Sequence, residues 1–129
     1  METIIVFLQN SSKKTLFISK LLGLRMNTIK VYDLTGRNAI SMQKGDKIYQ
    51  ILIQNIQNNQ NTILDFQDVS LFASPFFNAA IGHLLKDITI DELLNYIQPV
   101  NLNETGKELL NLVISNALSF YSERENKSE

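Results

Sequence analysis

The sequence predicts a layered α/β domain, a small mixed β-sheet covered by helices, and three observations predict it. The hydrophobic period switches between two and about 3.6 along the chain. A strongly apolar strand candidate, Thr62 to Phe72, runs directly into a helix candidate. The last helical segment then carries one unbroken apolar stripe, so strands and helices alternate and must cover one another. At 129 residues the chain suffices for one domain with a single core.

Each element follows from local rules. "TIKVYDLTG", Thr28 to Gly36, alternates like a strand that ends at a glycine turn. In "SMQKGDKIYQILIQNIQ", Ile48, Leu52 and Ile56, with Tyr49 and Ile53 beside them, form a helical stripe, with Ser41 placed as its cap. "NNQN" closes that helix. Ile63, Leu64, Phe66, Val69 and Leu71 make Thr62–Phe72 the most apolar strand candidate, expected mid-sheet. A helix from Pro75 to about Lys86 turns Phe77, Ile81, Leu84 and Leu85 inward, and "TIDE" at Thr89–Glu92 has capping-box spacing. "YIQPV" is expected at a sheet edge, where Pro99 costs no ladder bond. From Glu104 to Tyr121 the residues Leu110, Val113, Ile114, Ala117, Leu118 and Tyr121 line one face, with Asn103 as N-cap and Leu102 as the staple residue before it.

Composition excludes several chemistries. A formal net charge of -1 with 19% charged residues offers no field to recruit nucleic acid or an anionic membrane. Without cysteine there is no disulfide framework, thiolate zinc site or thiol nucleophile, and one histidine cannot build a two-histidine metal site. No cofactor is expected. "METIIVFLQNSSKK" is too short an apolar run to span a bilayer and lacks a preceding basic region, so a cytoplasmic location is expected. Gly36 and Gly45 fit neither a Walker loop nor a dinucleotide fingerprint. Asp65 and Asp68 flank the strand candidate and are read as turn and strand-end residues in preference to chemical ones. The chain is expected to have no enzymatic activity.

The stretch "ASPFF" poses the main question. Ser74 precedes Pro75 at a helix start, where a hydroxyl accepts a free backbone N–H and proline loses nothing. An added phosphate would be stabilised by the same N–H groups and the helix dipole, so Ser74 is a candidate helix cap and a candidate phosphoacceptor. His83 cannot activate it: nine residues at about 1.5 Å rise place the two roughly 13 Å apart along the axis. At about 100° per residue, a core-facing stripe of Phe77, Ile81 and Leu84 leaves Phe76 and His83 together off that face, as an exposed contact patch.

Three blocks carry a family resemblance: "GRNAISMQKGDKIYQIL" (Gly36–Leu52), "LDFQDVSLFASPFFNAAIGHL" (Leu64–Leu84) and "VNLNETGKELLNLVISNA" (Val100–Ala117). Together they resemble the small bacterial STAS-like domains of undefined function, over about Asn27 to Tyr121. Those domains look like shortened relatives of the STAS domains of anti-sigma-factor antagonists. The resemblance implies a STAS-like fold and a regulatory module of bacterial signalling that binds a histidine-kinase-like ATPase or an anti-sigma-type regulator. With the wheel geometry added, the docking surface is expected on the Ser74–His83 face, with Phe76, Asn78 and His83 as partner-binding residues and Ser74 as a phosphoacceptor or helix cap. The antagonists' turn reads Asp-Ser-Ser-Gly; here it reads Ala73, Ser74, Pro75, Phe76, with its acid and second serine lost. The domain is expected over residues 26–122, with an accessory strand and basic stretch, or upstream sequence from a misassigned start, over 1–25 and a flexible charged tail over 123–129. A small-ligand or nucleotide-binding domain and a structural homodimer are the rival functions.

Overall fold

The computed structural model describes residues 26–127, so the expectation for residues 1–25 lies outside the described residues. Among the described residues the chain runs β1 (Met26–Lys30), α1 (Val31–Thr35), β2 (Asn38–Ala39), α2 (Met42–Gln57), β3 (Asn61–Asp65), β4 (Leu71–Phe72), α3 (Ser74–Ala80), a 3₁₀ helix (Gly82–Lys86), α4 (Ile90–Tyr96), β5 (Ile97–Val100) and α5 (Glu104–Lys127). The layered α/β architecture is as expected, but every strand pairing is parallel where a mixed sheet was expected. Two sheets form, one of three strands in the order β1-β3-β5 and one of two strands, β2-β4.

The strand candidate Thr62–Phe72 proves to be two strands. β3 takes the central place, with Thr62 and Leu64 buried. It stops at Asp65 because its neighbours are themselves only five and four residues long. The turn that follows is built by hydrogen bonds that a continuing strand would forbid. The Gln67 N–H donates to Asp65 Oδ1 at 3.0 Å and the Val69 N–H to the Phe66 carbonyl at 3.0 Å, and Asp68 takes a φ of 68°. β4 then joins a different sheet.

The expected strand Thr28–Gly36 is also shorter. It ends at Lys30, and Val31–Thr35 forms a helical turn closed by the Gly36 N–H on the Tyr32 carbonyl at 2.7 Å. Val31 is buried and Leu34 packs against the core at a spacing of three, a pattern that nine residues cannot distinguish from alternation. Gly36 sits at φ 68°, where glycine avoids a Cβ clash.

Three cap readings are met. Ser41 Oγ accepts the Lys44 N–H at 3.1 Å. Thr89 and Glu92 form a complete capping box. Asn103 Oδ1 accepts the Gly106 N–H at 2.8 Å, and the helix it begins continues past Tyr121 to Lys127. Pro99 lies on β5, an edge strand, opposite Leu64. The core joins β3, α2, α3, the 3₁₀ helix and α5 through Leu64, Phe66, Leu52, Phe77, Leu84, Leu110 and Ile114. The buried polar side chain, Thr62, accepts Asn55 Nδ2 at 2.9 Å. Among the described residues no helix is long and apolar enough to cross a membrane.

Candidate protein-docking surface

The surface is organised by the two short strands. Asn38 pairs with Leu71 and Ala39 with Phe72, so side chains at 38 and 71 share one face and those at 39 and 72 the other. Ala39 is buried and Phe72 packs on the core; Leu71 therefore points outward and is 60% exposed. Ile40 and Met42, which continue from β2 into α2, are 48% and 56% exposed. The Ala73 N–H donates to the Ala39 carbonyl at 3.1 Å, which holds the starts of α2 and α3 side by side.

Gly45 makes that side-by-side arrangement close. A Cβ at position 45 would run into the Phe76 carbonyl oxygen and lie 2.9 Å from the Ala79 Cβ. α3 is thus pressed against α2 by its Phe76–Ala79 side as well as against the core by its Phe77 side. This overturns the expected exposure of Phe76, which is 1% exposed and packs edge-on against Phe77 with ring centroids 5.4 Å apart. Phe76 is a core residue and is unavailable to a partner. The helical wheel assumed one buried face; α3 has two.

Ser74 is half-buried and occupies the first turn of α3, one residue later than a cap. The N-cap is Ala73, extended at φ -139° and ψ 152°, and no side chain caps this helix. The cap reading of Ser74 is therefore corrected: Pro75 removes one N–H that a cap would have served, and the hydroxyl is left uncommitted. Asn78 is exposed one turn further along the same side.

His83 does not join Phe76, because the α-helix ends at Ala80 and a 3₁₀ helix with different periodicity carries it. Its ring stacks on Tyr49 with centroids 4.7 Å apart and an interplanar angle of 25°. Burial pushes the Tyr49 phenol above its ordinary value, and the nearby Asp87 carboxylate and Tyr121 push it the same way. The electrostatics at the helix starts are simple: neither α2 nor α3 has an acid in its first turn to offset the positive end of the dipole.

Asp65 is committed to structure, accepting the Gln67 N–H and Asn101 Nδ2, the latter at 2.8 Å. Among the described residues no group of three or more His, Asp or Glu side chains could hold a metal ion. Sequence reasoning missed Ile40, Met42 and Leu71. The alternation Asn38-Ala39-Ile40 and Leu71-Phe72 contains the signal, but it has meaning only once β2 and β4 are known to pair.

Residues 44–107, from the first turn of α2 to the first turn of α5, match the model of the STAS-like domain of unknown function (DUF4325). Over that stretch the chain belongs to the STAS-like family. The matched span contains the α2–α3 contact, Leu71, Ser74 and the central strand, whereas β2, Ile40 and Met42 precede it. No curated protein and no solved structure matches the chain.

Proposed function

We propose that this STAS-like domain is a non-enzymatic regulatory binding module of bacterial signalling whose partner is a histidine-kinase-like ATPase. The observation that supports this reading is an uncommitted hydroxyl, Ser74, on the segment that Ala73 ties to the end of β2, with Leu71 on β4 and Ile40 and Met42 after β2 all exposed. Exposed large apolar side chains near both helix starts suit a protein partner. A serine at paired helix starts free of acids suits the charge of an added phosphate. Ser74 is the phosphoacceptor in this proposal. In this proposal the exposed Asn78 and His83, stacked on Tyr49, also contact the partner.

The test uses the full-length chain and a histidine-kinase-like ATPase from the same host. Wild type should bind it and take phosphate from ATP, and Ser74→Ala should abolish the labelling. Leu71→Asp should weaken binding at least tenfold with an unchanged melt, since it places a charge in an apolar contact. Absence of binding by wild type, or equal binding by Leu71→Asp, overturns the reading. A dimer in light scattering that Leu71→Asp dissociates would instead assign this face to a second copy of the chain.

A further inference from the structure

At the opposite end of the β2–β4 pair from Ser74, a cavity of about 390 Å³ opens between Tyr32, Arg37, Asp68, Val69, Ser70 and Asn103. It is an open surface groove, wide enough for a small molecule to lie along. Hydrogen bonds tie one part of the lining together. The Ser70 and Leu71 N–H groups donate to the Arg37 carbonyl at 2.9 and 3.1 Å, and Asn103 Nδ2 donates to the Ser70 carbonyl at 3.2 Å. Asn103 is in turn held as the cap of α5. Arg37 and Ser70 are thereby kept in place by backbone bonds, before any ligand arrives.

The lining side chains carry both charge and apolar surface. Arg37 and Asp68 bring opposite charges to the same cavity, yet they form no ion pair with each other, and among the described residues neither side chain has a charged partner. The Tyr32 ring, 43% exposed, stands beside them, and the buried Val69 adds apolar surface. A single anion would be attracted by Arg37 and repelled by Asp68, and a single cation the reverse. A ligand carrying both charges close together satisfies both walls.

We propose that this cavity binds a free apolar α-amino acid, its carboxylate on Arg37, its ammonium on Asp68 and its side chain against Tyr32. The proposal is independent of the docking surface: it concerns the other end of the strands, and none of the residues that line the cavity belongs to that surface.

The test is a chemical-shift titration of the full chain with three probes. L-phenylalanine has both charges, N-acetyl-L-phenylalanine only the carboxylate, and L-phenylalanine amide only the ammonium. L-phenylalanine should bind saturably with a Kd on the order of 1 mM or tighter. The two single-charge probes should bind at least tenfold more weakly. Arg37→Met should erase the preference for L-phenylalanine over its amide, and Asp68→Asn the preference over the N-acetyl compound. Both variants should fold, since the two residues are exposed and asparagine tolerates the left-handed backbone at position 68. The absence of a saturable shift overturns the proposal. So does equal binding of all three probes, or binding that neither variant weakens.

Discussion

Ser41 and Ser74 stand at the starts of neighbouring helices, and only one of them is a cap. Ser41 Oγ accepts the Lys44 N–H, whereas Ser74 lies inside its helix behind Ala73. Ser41→Ala should therefore cost about 1 kcal/mol, and Ser74→Ala should stay within about 0.5 kcal/mol, in matched denaturant titrations. Equal losses would return Ser74 to a capping role. Tyr49 allows a second test at this scale. Its folded pKa is raised above the unfolded value of 10.0, first by burial and then by Asp87 and Tyr121. A raised folded value means that the unfolded chain releases the proton first as pH rises. The stability is thus fully present below the unfolded value and is lost as pH climbs through the folded one. Wild type should lose melting temperature across that alkaline window, and Tyr49→Phe should lose less.

The contact between α2 and α3 depends on what Gly45 lacks. Glycine within a helix ordinarily costs roughly 0.8–1 kcal/mol relative to alanine, so Gly45→Ala would be stabilising on propensity alone. Here the added methyl meets the Phe76 carbonyl and Ala79, neither of which is the far end of a flexible side chain. Overpacking of this kind costs about 1–3 kcal/mol and outweighs the propensity gain. Gly45→Ala should lower the melt and, by pushing the helix starts apart, also disturb the Ser74 surface. A stabilised Gly45→Ala variant would show that the two helices separate without cost. A glycine in the first turns of a predicted helix carries no label saying whether it relieves a clash or is merely tolerated. For that reason the burial of Phe76 was not legible, although Phe77, Ile81, Leu84 and Leu85 were correctly read as core.

For the molecule as a whole, the core described within residues 26–127 joins both sheets and the covering helices in one cluster. A chain beginning at Met26 should accordingly melt in a single cooperative transition, followed by circular dichroism; a non-cooperative melt would show that residues 1–25 complete the core. The features that the sequence determined by itself are those whose causes lie within a few residues. They are the stripe of α2 and its Ser41 cap, the Thr89–Glu92 capping box, the Asn103 cap and apolar face of α5, and the apolar centre of β3. Other features needed the tertiary structure. Thr62–Phe72 splits into two strands because its neighbours are too short to pair with all of it. α3 buries a second side because Gly45 lets α2 approach. Leu71 and Ile40 face outward because β2 and β4 pair in a particular register. Hydrogen-bonding caps and hydrophobic periods act between residues close in the chain, whereas exposure depends on which segment, distant in sequence, comes to lie against a given face.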